Sequence, residues 1–222
     1  MAPEMLLNLL LKGLWQTTQM VAAAGLIGTL IGLPMGVFLA TSGKGELFAA
    51  PKTNRIIGLI VNALRSTPFI ILVVAIIPLT RFITGTSIGT IAAIVPLTIS
   101  TVPFVARLIE AAIREVDKGL IEAARAMGAT PYQIVAKVLL AEALPGITLA
   151  LTLTLVSLIG YSAMVGAVGG GGLGDLGIRY GYQRFMPEVM LAVVAVLIVL
   201  VQAVQSAGDH LARRFDKRTR KN

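Results

Sequence analysis

PEVMLAVVAVLIVLVQAVQSA, residues 187–207, is 21 residues long and carries one charge, Glu188, near its start. As a helix it measures about 31 Å at about 1.5 Å per residue, the thickness of a bilayer's hydrocarbon core. Pro187 suits the first turn, where its missing N–H is not needed. GDHLARRFDKRTRKN follows, with Arg213, Arg214, Lys217, Arg218, Arg220 and Lys221. An apolar span ending in a basic block is the pattern of a membrane helix that stops among anionic headgroups on the cytoplasmic side.

Four more segments are long and apolar enough to cross: about Leu14–Ala40, Ile56–Leu79, Ile88–Ile113 and Leu144–Val168. Composition agrees. Of 222 residues 56% are hydrophobic and only 14% charged, against about a quarter charged in soluble domains, and the mean hydropathy is +0.85. The expected fold is an all-α integral membrane protein, a polytopic bundle of about five transmembrane helices. Residues 1–13 read as a short outside segment, 14–207 as the transmembrane domain and 208–222 as a basic cytoplasmic tail. No cleavable leader is expected, because Pro3, Glu4 and Asn8 interrupt the start and Lys12 follows the short apolar stretch.

The loops orient the chain. With the N-terminus outside, Lys44, Lys52, Arg55, Arg107, Arg114, Lys118, Arg125, Lys137 and the six tail residues lie inside, and Lys12, Arg81, Arg179 and Arg184 outside. Fourteen against four favours N-out, C-in. The net charge of +8 thus belongs to a membrane surface rather than to nucleic acid. With no cysteine, a disulfide, a thiol nucleophile or a cysteine zinc site is excluded.

The inside loop, about residues 114–143, is too long for a plain connector. Leu120-Ile121-Glu122-Ala123-Ala124-Arg125-Ala126-Met127 consists of good helix formers. Gly128 stands where a left-handed cap would end that helix. Thr130, Pro131 and Gln133 then form a capping box with a first-turn proline. The expectation is two short helices bent at Gly128-Ala129. Leu120, Ile121, Met127 and Ile134 would need cover, from a partner or by folding back on the spans.

Glu122-Ala123-Ala124, three residues, then Gly128 resembles the EAA loop of ABC-importer permeases. Arg65-Ser66-Thr67-Pro68-Phe69, Ala126 through Pro131, and Gly160-Tyr161-Ser162-Ala163-Met164 through Gly174 are similar to the permease subunits of methionine-uptake ABC transporters. The similarity covers roughly Lys12 to Asp209. One departure is Ala141, where the family pattern has proline; Leu144-Pro145 comes later. The resemblance implies a type I importer permease in the bacterial plasma membrane. Two copies would form one pathway on a two-fold axis. Two cytoplasmic ABC ATPase subunits would carry ATP and magnesium, none on this chain, and an extracytoplasmic methionine-binding protein would deliver L- and D-methionine. Glu122, Ala123, Ala124, Gly128, Thr130 and Pro131 are then the ATPase-coupling residues. Arg65, Pro68, Tyr161, Ser162 and Met164 are pathway candidates, and Gly169, Gly170, Gly171 and Gly172 a contact for the binding protein.

Other readings of these residues stay open. The glycine run lacks the Gly-Lys-Ser/Thr ending of a phosphate loop and follows a span instead of a strand; it also reads as a flexible outside loop. Arg65, about ten residues into the second segment, is either an intramembrane functional charge or a snorkelling one. Met164 reads equally as packing. Gly28, Gly32 and Gly36 mark one helix face for close packing within the subunit or across a dimer. Thr148, Thr152 and Ser157 either line a polar stripe or bond back to their own helix. The function expected is ATP-driven import of methionine, with another amino acid as the alternative. An ion-coupled carrier is disfavoured, since Arg107, Glu110 and Asp209 sit near span ends. An intramembrane hydrolase lacks a buried base, the one histidine, His210, lying past the last span.

Overall fold

The structure, a computed structural model, describes residues 3–215; Lys217, Arg218, Arg220 and Lys221 of the basic tail lie outside the described residues. Among these the secondary structure is entirely helical. The helices are α1 (Pro3–Thr41), α2 (Pro51–Ser66), α3 (Phe69–Ala75), α4 (Ile77–Thr84), α5 (Thr90–Arg114), α6 (Lys118–Ala126), α7 (Pro131–Gln133), α8 (Leu140–Ala167), α9 (Gly172–Leu176) and α10 (Pro187–Phe215). Ile134–Leu139 and Gly177–Tyr182 are π-helical.

Four of these stretches are long and apolar enough to span a membrane: Pro3–Thr41, Thr90–Arg114, Pro131–Ala167 and Pro187–Phe215. Counting the broken pair α2 and α3 as one gives five. The expected second segment, Ile56–Leu79, is therefore not a single helix. It stops at Ser66, restarts at Phe69 with Pro68 as the extended residue before it (φ −56, ψ 131), and breaks again at Ile76. Proline disfavours helical geometry in the residue before it and withholds an N–H from the ladder, so the break falls at Thr67-Pro68. Residues 1–13 are likewise not a separate element from Pro3 onward. They begin α1, at 39 residues about 58 Å long.

The chain divides into two compact units, and α1, α5, α8 and α10 each contribute residues to both. The first comprises residues 3–28, 67–101 and 154–205. One of its cores joins Met20, Val21 and Ala24 of α1 to Leu97 of α5 and to Leu158, Ile159 and Val165 of α8. Another seats Leu6, Leu9, Leu10 and Leu14 of α1 against Leu173, Leu176, Val189 and Val193. That apolar stripe at helical spacing explains why α1 starts so early.

The second unit comprises residues 29–66, 102–153 and 206–215. Its core gathers Val105, Ile109, Ile113, Val116, Ala124, Ile134, Leu139, Ala143 and Ile147. Here Gly32 and Gly36 bring α1 against the backbone of α5. A β-carbon would stand 2.8 Å from the Val102 carbonyl oxygen at Gly32 and 2.6 Å from that of Ala106 at Gly36. These two glycines of the spaced set therefore serve packing within the subunit. In the first unit Gly28 does the same against Thr101.

Candidate functional site

The cytoplasmic loop is built from local signals. Asp117 caps α6, accepting from the Gly119 N–H at 2.8 Å. The helix ends in a Schellman motif. The Gly128 N–H donates to the Arg125 carbonyl at 2.9 Å and the Ala129 N–H to the Ala124 carbonyl at 3.0 Å. Gly128 has φ +80. Thr130 opens the next helix as expected. Its hydroxyl accepts from the Gln133 N–H at 3.4 Å, and its own N–H donates to Gln133 Oε1 at 2.9 Å.

The second short helix is not short. α7, the π-helical segment and α8 form one helix, Pro131–Ala167, of 37 residues. Ala141 keeps its own N–H for the ladder, and the helix runs on through Pro145, which offers no N–H to the Ala141 carbonyl. The π-helical turn keeps the buried stripe in phase. Ile134, Leu139, Ala143, Ile147 and Ala150 are buried at intervals of five, four, four and three. The five-residue step falls within the wide turn, which places i and i+5 on one face.

The loop's faces are sorted accordingly. Ala124 and Ile134 are buried and Ile121 is packed beside them, so for Ile121 and Ile134 the cover comes from folding back on the chain itself. Leu120, Met127 and Tyr132 do remain out, the last two 81% and 77% exposed. Glu122, Ala123, Gly128, Thr130 and Pro131 are exposed alongside them. Of the coupling residues read from the sequence, only Ala124 faces the protein interior. Tyr132 also touches Phe48, with ring centroids 4.9 Å apart.

Arg65 does not sit within a continuous span. It lies in the last turn of α2, exposed, where a cation complements the helix's negative end. Pro68 is exposed at the start of α3, and its neighbour Phe69 stacks on Tyr161 with centroids 4.5 Å apart and 17° between planes. Ser162 is buried and its hydroxyl donates to the Ile159 carbonyl, whereas Met164 is exposed. Pro68 and Tyr161 are thus linked through Phe69; Ser162 is turned to its own helix. Thr148 and Thr152 also donate to carbonyls four residues back.

The glycine run is a packed structure rather than a loose loop. Gly170 and Gly172 are buried, Gly169 and Gly171 half-buried. The Gly172 N–H donates to Gln16 Oε1 at 3.0 Å and the Leu173 N–H to Thr17 Oγ1 at 2.9 Å, which pins the start of α9 to α1. The Gly89 N–H donates to the Gly169 carbonyl. A β-carbon on Gly172 would lie 2.7 Å from Thr17 Oγ1.

One cluster carries no motif in the sequence. Glu110 on α5, 7% exposed, pairs with Arg107 at 2.5 Å and Arg114 at 2.9 Å, and Arg107 also donates to the Gly58 carbonyl of α2 at 2.9 Å. Its signal is an i, i+3, i+7 charge series ending an otherwise apolar helix. Among the described residues no group of three metal-ligating side chains converges.

Residues 32–221 match the family described as binding-protein-dependent transport system inner membrane component. A probable D-methionine transport system permease protein MetI of Vibrio cholerae is 58% identical over 95% of this chain and 94% of its own. The D-methionine permease MetI of Escherichia coli K12 is 55% identical over 73% of this chain and 75% of its own. A solved inward-facing MetNI methionine ABC transporter contains a chain 52% identical, with a TM-score of 0.94, covering 98% of this chain and 100% of that one. The fold is that of a type I ABC importer permease, and the chain belongs to the binding-protein-dependent family of multi-pass inner membrane transport components.

Proposed function

We propose that this chain is the permease subunit of a methionine ABC importer. Two copies form the pathway, and a separate cytoplasmic ATPase, holding ATP and magnesium, drives it. An extracytoplasmic binding protein delivers L- and D-methionine. The observation that carries this reading is the 52% identity and 0.94 TM-score to the MetNI permease over nearly the whole chain.

The loop geometry supports a coupling role. α6 is held by a cap at each end and anchored through Ile121 and Ala124, while Leu120, Glu122, Met127 and Tyr132 point outward. A rigid, partly apolar protrusion of this kind is suited to a cleft on a partner. ATP-driven closure of two ATPase subunits would draw the two protrusions together and bias the spans toward the outward-open state. In physical terms this is a two-state bundle shifted by a ligand with unequal affinity for the states. The chain itself performs no hydrolysis.

Glu110 with its two arginines fits the same scheme by fastening α5 to α2. The pathway role of Arg65, Pro68, Tyr161, Ser162 and Met164 and the binding-protein role of Gly169–Gly172 remain part of the proposal. For the latter, the burial of Gly170 and Gly172 leaves the flanking loop as the reachable surface.

The test is uptake of labelled L- and D-methionine by proteoliposomes holding this chain, its ATPase and its binding protein. ATP-dependent accumulation of both supports the reading. Accumulation of a different amino acid in preference to methionine refutes the substrate, and accumulation driven by an ion gradient without ATP refutes the class.

A further inference from the structure

The first unit contains a polar cavity of about 350 Å³, floored in part by Gly169, Gly171 and Gly172; its charged side chains have no role in the transport scheme. One wall is α1, presenting Leu9, Lys12 and Gln16 at one-turn spacing; the other is α9 and the turn after it, presenting Asp175, Leu176 and Arg179. Lys12 and Arg179 are among the few cations that the charge bias places outside, so the cavity opens on the side from which substrate arrives.

Its hydrogen-bonding inventory has both signs. Among the described residues Lys12 has no carboxylate partner within 4 Å. Gln16 spends its carbonyl oxygen on the Gly172 N–H, which leaves its amide nitrogen to donate. Asp175 Oδ1 accepts from Arg179 at 2.8 Å, which leaves Oδ2 to accept. A cation with two positive groups beside it would be repelled, and a simple anion would face the Asp175 carboxylate. A ligand with a carboxylate and an ammonium on one carbon meets Lys12 and Gln16 with the first and Asp175 with the second. Leu9 and Leu176 offer apolar surface for a side chain, and the volume lies at the small-ligand end of the usual cavity range, about 300–1,000 Å³.

We propose that this cavity binds the zwitterionic head of a free α-amino acid, as a holding site at the entry side of the permease. The proposal rests on the transport reading above for its biological meaning, but it is tested without transport.

The experiment is equilibrium binding of labelled L-methionine to the full chain in lipid nanodiscs, without ATPase or binding protein. Methionine methyl ester, N-acetylmethionine and propionate serve as competitors. Saturable binding is expected, with each competitor at least about tenfold weaker than methionine, since each lacks one charged contact. Lys12→Gln should weaken methionine binding about tenfold and abolish the discrimination against the methyl ester. Asp175→Asn should abolish the discrimination against N-acetylmethionine. A merely structural role for these side chains would not move the selectivities separately. Lys44→Gln, in the loop between α1 and α2, should change nothing. Absence of saturable binding, or unchanged discrimination in both variants, overturns the site. Propionate competing as well as methionine also overturns it, and marks an anion contact such as a partner's acidic side chain. If uptake by the assembled transporter succeeds while this binding fails, the holding site falls and the transport reading stands. If binding succeeds while methionine uptake fails, the site stands and the transport reading falls.

Discussion

Gly128→Val isolates the bend in the cytoplasmic loop. Gly128 has φ +80, and a β-carbon built on it meets nothing within 4 Å. The penalty is therefore torsional and not steric. An L-residue in the left-handed region costs about 1–2 kcal/mol, and β-branching makes valine a poor occupant. Alternatively the turn relaxes and gives up the bonds from Gly128 to Arg125 and from Ala129 to Ala124, at about 1 kcal/mol each. Both routes give about 1–2 kcal/mol, a shift of about 5- to 30-fold in the population of the bent loop. That is too little to unfold a domain with about 5–15 kcal/mol of stability, so the spans should insert normally. Capture of the ATPase and ATP-dependent methionine uptake, measured on the same preparations, should both fall about tenfold. Gly128→Asn should be close to wild type, because asparagine enters the left-handed region readily, and Gly128→Ala should lie between. Normal uptake in Gly128→Val, with the protein confirmed in the membrane, removes the coupling role. Equal losses in the Asn and Val variants would also refute the reasoning, since they would point to space needed by the partner rather than to φ.

Glu122→Ala leaves the bend intact and removes one exposed charge, so ATPase capture should drop by less than for Gly128→Val. Glu110→Leu leaves Arg107 part-buried without its carboxylate, with only the Gly58 carbonyl as partner, and should destabilise by about 3 kcal/mol, read as a lowered midpoint in a detergent thermal scan. Arg114→Gln, on the half-exposed partner, should change that midpoint little. Gly36→Leu should block folding by collision with the Ala106 carbonyl, whereas Gly160→Ala, with open space beside it, should fold normally by size-exclusion profile. For topology, a cysteine at Gln183 should react with an impermeant thiol reagent in intact cells and one at Lys44 should not; labelling of Lys44→Cys overturns the orientation.

The features legible in the sequence are those encoded in a few adjacent residues. The turn at Gly128, the capping box at Thr130-Gln133 and the start of α10 at Pro187 each follow from side chains within four positions of one another. Most of what the sequence hides depends on partners distant along the chain. Leu6, Leu9 and Leu10 are good helix formers, but the cover that Leu173 and Val189 give them is not visible in the local sequence. The glycine run looks mobile until Gln16 and Thr17, 156 residues away, take up its N–H groups. Arg65 is different: it looks deep only if Thr67-Pro68 is taken for a kink within a span, whereas the helix ends there.

Ala141 shows what a single departure from a family pattern can change mechanically. A proline there would remove a ladder bond and kink the helix at the preceding turn. Without it, Pro131–Ala167 runs as one helix of 37 residues with Pro145 as its interior proline. A π-helical turn at Ile134–Leu139 shifts the phase of the buried stripe. The Thr130 end and the turn that holds Tyr161 and Ser162 belong to one helix, with Pro145 between them. Ala141→Pro would add a second proline one turn before Pro145 and kink the helix there, lowering uptake while leaving ATPase capture intact, because α6 and both its caps lie before the new kink. Equal loss of capture and uptake in that variant would mean that this helix serves only to hold the loop in place.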